Sequence, residues 1–462
     1  MKVALVLPPH TFEDRYNKSI AKAAGVLPPL GLLYIASVVR EGGHEVAVLD
    51  GSVKDFYEIN QRLDEFKPDI IGINVMTFLW DKVKKWLPEL KQRFPGVFII
   101  VGGAHPSVIK EGCLRESEHI DGIITGEAEY LMLELANNLE NKKPLNEVKG
   151  LIYRDNDKII TNVPNERISD LDKIPFPARD LIDLNDYVPA PEQYKRLPVT
   201  NIITTRGCPY LCTFCATSRT APKYRSPENV VGEMKELVEK YGIRDIAIWD
   251  DTFTLNKKRV LEICRLIIES KLDVIWCAHS RINLVDRELL ETMSKAGCWK
   301  VFFGAESMIQ KNLDTIKKGL KVEEIFNAIN LCKKFGIDSE CSFMFGIPGE
   351  TYEDALQTIK LVKQLDPDYA KFFPITPMPG TEFYEEGVKH GTIDGNIESR
   401  TTGNYVVYVP NSMTKEEMEK LVPLAYKEFY LRPKYIFKYA KKIRSLNDVK
   451  RGWKGASAVL AL

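Results

Sequence analysis

Short apolar runs alternate with amphipathic stretches along most of the chain. Val3–Leu7, Glu45–Leu49, Ile70–Asn74, Phe98–Val101 and Gly122–Thr125 read as strands, and Leu30–Glu41, Val53–Phe66, Asp81–Phe94 and Glu127–Asn138 as helices. This alternation predicts a doubly wound parallel sheet, whose ligands bind beyond the carboxyl ends of the strands. The loops expected at that edge are Asn74-Val75-Met76-Thr77, Gly102-Gly103-Ala104-His105-Pro106 and Gly126-Glu127-Ala128-Glu129, and their glycines let a flat ligand approach the backbone. The polar segment Pro8–Leu27 is long for a connection and is expected to be a functional, structureless loop. No Gly-x-Gly-x-x-Gly follows the first strand, which argues against a dinucleotide.

From about Pro198 the alternation resumes with a longer step. Val199–Thr205, Asp245–Trp249, Val274–His279, Lys300–Phe303, Ser339–Phe345 and Tyr369–Ile375 read as strands, separated by helices at Pro227–Tyr241, Lys257–Ser270, Arg287–Lys295, Val322–Phe335 and Tyr352–Gln364. Six such units predict a partial (β/α)6 barrel, with chemistry at the C-terminal ends of its strands. Polar residues collect at those ends: Asp250 and Asp251; His279, Ser280 and Arg281; Gly304, Glu306 and Ser307; Gly346-Ile347-Pro348-Gly349-Glu350; Pro377-Met378-Pro379-Gly380-Thr381. Any one set also suits a helix cap, but caps alone do not account for all of them at one rim.

Composition narrows the picture. The 462 residues suit two or three domains, expected at 1–141, 142–195 (a linker with a small hairpin), 196–390 and 391–462, the last a small helical region. Lys+Arg and Asp+Glu are both 64, so no global basic field points to nucleic acid. Nine cysteines without a signal-like start fit a reducing cytoplasm, and Cys264, Cys277, Cys332 and Cys341 read as buried small hydrophobes. Ten Lys/Arg, from Lys427 to Lys454 and including Arg444, interleave with Phe429, Tyr430, Tyr435, Phe437, Tyr439 and Trp453. The plainest reading is a surface helix packed on the barrel; the sharper one is peripheral contact with an anionic membrane or a lipid-like substrate.

The strongest chemical signal is Cys208-x3-Cys212-x2-Cys215, expected in the loop after the first barrel strand. Three thiolates hold three irons of a four-iron cluster and leave the fourth open to bind and activate a small molecule.

With its aromatic Phe214 before the last cysteine, that loop resembles the radical S-adenosylmethionine (SAM) enzymes. Trp249-Asp250-Asp251-Thr252-Phe253, Gly304-x-Glu306-Ser307, Gly346-Ile347-Pro348-Gly349 and Pro377-Met378-Pro379-Gly380-Thr381 resemble the subgroup with an N-terminal cobalamin domain, which includes class B methyltransferases and anaerobic magnesium-protoporphyrin ester cyclases. Leu27-Pro28-Pro29-Leu30-Gly31, Gly102-Gly103-x-His105-Pro106 and Gly126-Glu127-x-Glu129 look like its flavodoxin-like cobalamin domain.

The resemblance implies a [4Fe–4S] cluster on Cys208, Cys212 and Cys215, SAM chelating the open iron, and electron transfer from an external donor of the flavodoxin or ferredoxin type. Cleavage of SAM would give a 5′-deoxyadenosyl radical that takes hydrogen from an unactivated carbon. It further implies SAM contacts from Phe214, Asp250 (or Asp251), Arg281, Glu306, Ser307, Gly346 and Pro348, and cobalamin contacts from Asn74, Thr77, Gly102, Gly103, His105, Gly126 and Glu127. One departure is the missing Asp-x-His-x-x-Gly: Ser117 stands where the aspartate preceding His119-x-x-Gly122 belongs, so no histidine is expected to ligate cobalt. C-methyl transfer to a small-molecule substrate is the leading expectation, with oxidative cyclisation or rearrangement as the alternative. A non-catalytic cobalamin- or redox-responsive binding protein is disfavoured by the open-iron spacing.

Overall fold

The structure, a computed structural model, describes residues 1–15, 18–387, 389–393, 405–443 and 446–462. It divides into two compact units, Met1–Asp14 with Val26–Tyr187 and Arg15–Gly25 with Val188–Leu462.

The first unit is built on β1 (Lys2–Leu7), β2 (Glu45–Asp50), β3 (Ile70–Asn74), β4 (Phe98–Gly102) and β5 (Gly122–Ile124), with β6 (Leu151–Asp155) and β7 (Lys158–Thr161) at one edge. The strand order is β2-β1-β3-β4-β5-β6-β7. The first five pair in parallel, whereas β6 and β7 add antiparallel. The hairpin expected inside the linker thus completes the front sheet, which is mixed rather than wholly parallel. On one face Val6, Ile71, Ile73, Ile99 and Val101 pack with Ile59, Leu63, Val83 and Leu87 of the helices, and on the other Val3, Leu5, Ile70 and Ile100 are buried. Asp55 opens the helix Phe56–Phe66 with a reciprocal capping box to Glu58.

The segment Pro8–Leu27 is not structureless. It holds short helices at Phe12–Arg15 and Lys18–Ala21, between which Tyr16 and Asn17 lie outside the described residues.

The second unit carries β8 (Val199–Ile202), β9 (Thr205–Arg206), β10 (Lys223–Tyr224), β11 (Asp245–Ile248), β12 (Ile275–Ser280), β13 (Cys298–Glu306), β14 (Asp338–Phe345) and β15 (Tyr369–Pro374). Six of these form a parallel sheet in the order β15-β14-β13-β12-β11-β8, while β9 and β10 make a separate antiparallel pair. Strictly sequential parallel order, with right-handed crossovers, puts the connecting helices on one face and leaves the other free. Four helices, Pro227–Tyr241, Lys257–Ser270, Arg287–Lys295 and Val322–Phe335, fall on the expected residues, and the fifth ends at Leu365 rather than Gln364. Ser226, Asn256, Asp286 and Thr351 cap their N-termini with side-chain oxygens.

The basic C-terminal stretch is turned largely toward its own unit. Arg432 pairs with Asp366, Lys438 with Asp368, and Lys442 with both Asp338 and Asp368 at 2.7 Å. Phe429, Tyr430, Tyr435 and Tyr439 form a continuous aromatic row, edge-to-face from Phe429 to Tyr435 and stacked between Tyr435 and Tyr439. Arg444 lies outside the described residues. Among the described residues no helix is long and apolar enough to cross a membrane.

Candidate active site

The cysteine loop leaves the C-terminal side of β8 through β9, and its start is anchored by the residues that follow β11. Asp250, fully buried, accepts from the Thr204 backbone N–H and hydroxyl at 2.5 Å each and from the Thr205 N–H at 3.0 Å. Burial pushes its carboxyl above the usual range, and the Thr204 bonds pull back toward the anion. Asp251 accepts from the Gly207 N–H at 3.0 Å, and the Thr252 hydroxyl stands 3.8 Å from the Cys208 sulfur. Gly207 itself sits at φ +92°, a conformation that favours glycine. In this structure the two aspartates therefore hold the cysteine loop from below.

Arg281, at the end of β12, meets the middle of that loop. Its Nη1 donates to the Cys212 sulfur at 3.4 Å, its Nη2 donates to the Lys318 carbonyl, and its guanidinium lies 3.6 Å from the centre of the Tyr210 ring. Lys318 carries the network onward, since its ammonium donates to Glu306 Oε1 at 2.9 Å and lies 5.9 Å from the Phe214 ring. Glu306 Oε2 accepts from the Ser342 hydroxyl at 3.2 Å. Glu306 occupies a left-handed backbone position, φ +67°, at an irregularity in the β13–β14 pairing that turns its side chain into this network. Gly304 makes room for it: a Cβ there would overlap Glu306 Oε1 and the Lys318 ammonium.

Phe214 packs on an apolar cluster that includes Ile316, Met344, Ile347, Ile375 and Phe383. Ile347 belongs to the Gly346–Gly349 turn, which Glu350 holds by accepting from the Gly346 and Ile347 N–H groups at 2.6 and 3.2 Å. Asn312 donates to the same carboxylate at 2.9 Å. Burial raises the Glu350 carboxyl to about 8 against the pull of those backbone bonds. A cavity of about 420 Å³ borders the turn, lined by Thr213, Ile316, Pro348, Gly349, Phe383 and His390 among others.

Ser307 stands apart from the rest, fully buried with its hydroxyl facing Asn312 and Thr358. The structure thus gathers Cys212, Phe214, Arg281 and Glu306 into one network and sets Gly346 and Pro348 beside it, whereas Asp250 and Ser307 are occupied within the scaffold. Lys318 was not singled out from sequence, and Glu350 was read only as one of the polar rim residues. A lysine among neighbouring charges reads as solvated, and its partner Glu306 is not visible in local spacing.

In the first unit, Asn74 and Gly102 lie side by side at the ends of β3 and β4. Gly103, at φ +96°, lies against the Asn74 side chain, and a Cβ there would overlap Asn74 Oδ1. Thr77 and Gly126 are also at this carboxyl edge, Gly126 exposed at φ +80°. Two other residues turn away. Glu127 accepts from the Ile168 N–H at 2.5 Å. His105 is buried beneath Trp80, ring centres 4.9 Å apart, and its Nε2 meets no polar partner. Burial lowers His105 to about 4, so it is neutral at pH 7.

The B12 binding domain model matches residues 17–136 and the radical SAM superfamily model residues 202–362. A Pyrococcus horikoshii protein named as an uncharacterized methyltransferase, PH0819, is 36% identical over 95% of this chain and 94% of its own length. The chain belongs to the cobalamin-binding radical SAM enzymes. This radical SAM enzyme is also 29% identical, over 91% of its length, to the anaerobic magnesium-protoporphyrin IX monomethyl ester cyclase of Rubrivivax gelatinosus, 77% of which is covered. Its fold is that of the methyltransferase TsrM from Kitasatospora setae solved with cobalamin and a [4Fe-4S] cluster, at TM-score 0.68 and 19% identity over 100% of this chain and 88% of that one. The cobalamin-dependent enzyme OxsB shares it at TM-score 0.69 and 18% identity, over 100% of this chain and 72% of that one.

The cofactors of this radical SAM enzyme are a [4Fe–4S] cluster, SAM and cobalamin. The donor set fits the cluster: Cys208, Cys212 and Cys215 are free thiols in one loop, with Arg281 beside the middle sulfur. Among the described residues no His, Cys, Asp or Glu group converges as a single-ion site would. A cuboidal cluster needs no such convergence, because each thiolate takes a different iron.

Proposed function

We propose that this enzyme is a C-methyltransferase acting on an unactivated carbon of a small molecule. The observation that carries the reading is the presence of both cofactor domains in this chain together with its alignment, over nearly the whole of both chains, to a relative named as a methyltransferase. When bound, the reduced cluster supplies the electron that cleaves SAM, and cobalamin supplies the methyl group.

The chain's own residues hold and orient. Cys208, Cys212 and Cys215 grip three irons, and Arg281 fixes the loop between Cys212 and the Lys318 carbonyl. The Glu306–Lys318 pair, in reach of both the loop and Phe214, offers a carboxylate and an ammonium for SAM's amino, carboxylate or ribose groups. Phe214, Gly346 and Pro348 would form the apolar side for the adenine of SAM. Asn74, Thr77, Gly102, Gly103 and Gly126 would line the corrinoid edge. His105 Nε2 is enclosed and the His44 Nε2 lies 3.1 Å from Asn137 Oδ1, which supports the reading that neither would ligate cobalt. The electron would come from an external donor of the flavodoxin or ferredoxin type, in keeping with the burial of the other six cysteines, which leaves them ill placed to hold a second cluster.

The cyclase relatives favour a second reading, oxidation and ring closure of the substrate without methyl transfer. SAM labelled in its methyl group separates the two. Label recovered in the product supports methylation; an unlabelled, oxidised product supports cyclisation.

A further inference from the structure

The face of the parallel sheet opposite the crossover helices carries aromatic side chains to which no cofactor contact is assigned above. Partly exposed positions alternate with buried ones along β15 and at the end of β13, and His279 pairs with Phe302, so that His279, Phe302, Gly304, Lys371 and Phe373 share one side. Trp249 follows β11 on the same side and is 41% exposed, unusual for so large an apolar ring.

Three of these side chains form a continuous wall across adjacent strands. His279 pairs directly with Phe302, and their ring centres are 5.0 Å apart at 51°. Trp249 lies on the other side of His279, 5.9 Å away at 33°. The packing is offset and tilted, as favourable aromatic contacts are, and none of the three rings is fully buried. His279 is the polar member of the wall. Neither of its ring nitrogens bonds to the protein among the described residues. Desolvation holds it at about 4, so at pH 7 it is a neutral imidazole, one nitrogen donating and the other accepting.

The floor beside the wall is charged but balanced. Glu340 takes Lys300 at 2.5 Å and Lys371 at 2.8 Å, and Glu192 takes Lys371 at 3.1 Å. Two ammoniums face two carboxylates, so the floor has no charge left over to bind an ionic substrate group. Lys371 also stands 5.8 Å from the Phe302 ring.

We propose that Trp249, His279 and Phe302 bind a neutral, planar, conjugated portion of the substrate by its face, with His279 hydrogen-bonding a heteroatom on it. This deepens the proposed function by giving its substrate a chemical class, and it rests on the open sheet face being the substrate side. The binding itself needs no turnover and can be measured separately.

The test is calorimetric titration of anaerobically reconstituted holoenzyme with 2-naphthol, against decahydro-2-naphthol, its saturated, non-planar counterpart. The expected result is saturable binding of 2-naphthol and none of the saturated alcohol. Loss of one stacking partner in Trp249→Ala or Phe302→Ala should weaken binding about tenfold, and His279→Phe, which keeps the ring but not its nitrogens, should weaken it less. Thermal melting of each variant reports whether it is folded. Failure of 2-naphthol to saturate, equal binding of both alcohols, or unchanged affinity in a folded Trp249→Ala variant would overturn the proposal. Naphthol binding that survives alongside failed methyl transfer would count against the reaction and not against this surface.

Discussion

The guanidinium of Arg281 reaches the sulfur of Cys212, Nη1 to Sγ, at 3.4 Å. An arginine just past the third strand of the parallel sheet thereby touches the cysteine loop that follows the first strand. The same guanidinium grips the Lys318 carbonyl and stacks on Tyr210, so three contacts fix its plane. Arg281→Lys keeps the charge and loses the fork. Iron and sulfide per chain after anaerobic reconstitution should fall, and cluster affinity should drop by about tenfold or more, as when an outer partner of a metal ligand is lost. Full cluster occupancy at limiting iron would refute this role.

Cys212→Ala should abolish both the cluster's visible absorption and reductive cleavage of SAM, because two thiolates do not retain the cube. Retained cleavage of SAM to methionine would contradict the assignment of the three ligands.

Gly304→Ala should act on the Glu306–Lys318 pair rather than on the fold. The added methyl overlaps the ends of two flexible side chains, which move before the backbone does. SAM affinity measured by calorimetry should weaken by about tenfold, the scale of one charge-assisted hydrogen bond, with little change in melting temperature. A variant that binds SAM normally would remove this pair from the SAM site.

Gly103→Val places a branched side chain where φ is +96° and Asn74 already fills the space. Corrinoid content after loading should fall while iron content stays the same. Unchanged corrinoid absorbance would argue against this strand edge as the cobalamin side.

Glu350 gives a pH prediction with a definite sign. Its carboxyl is raised to about 8 from 4.5, so between those values the folded state holds a proton that the unfolded chain releases. Its stabilising contribution is fully present below pH 4.5 and is lost as pH rises through 8, at up to about 1.4 kcal/mol per pH unit. Glu350→Gln removes the titration, so the melting temperature of the variant should vary less between pH 5 and 8 than that of the parent. Parallel profiles would show that Glu350 does not titrate there.

The regular elements were legible because their patterns are local. The helices Pro227–Tyr241 and Lys257–Ser270 announce themselves by a capping Ser226 or Asn256 and an apolar stripe. The cysteine spacing is likewise contained in a few residues. Long-range partners were not legible. Asp250 reads as a rim residue facing a ligand, yet Thr204 and Thr205, more than forty positions earlier, take its oxygens. Nothing near Lys142 says that the hairpin β6–β7 pairs with β5, because an antiparallel edge is decided by what the neighbouring strand leaves open. Lys318 becomes legible only once Gly304 is seen to leave it space.

The burial of the remaining cysteines bears on how the protein acquires its metal. Desolvation raises the thiols of Cys264, Cys277 and Cys332 to about 12 and pushes Cys298 and Cys341 higher still. Once the chain has folded, these groups stay protonated and do not compete for incoming ferrous iron or for oxidants. Cys208 and Cys215, partly exposed, are the thiols within reach of both. The loop that makes maturation selective is also where air damage would begin.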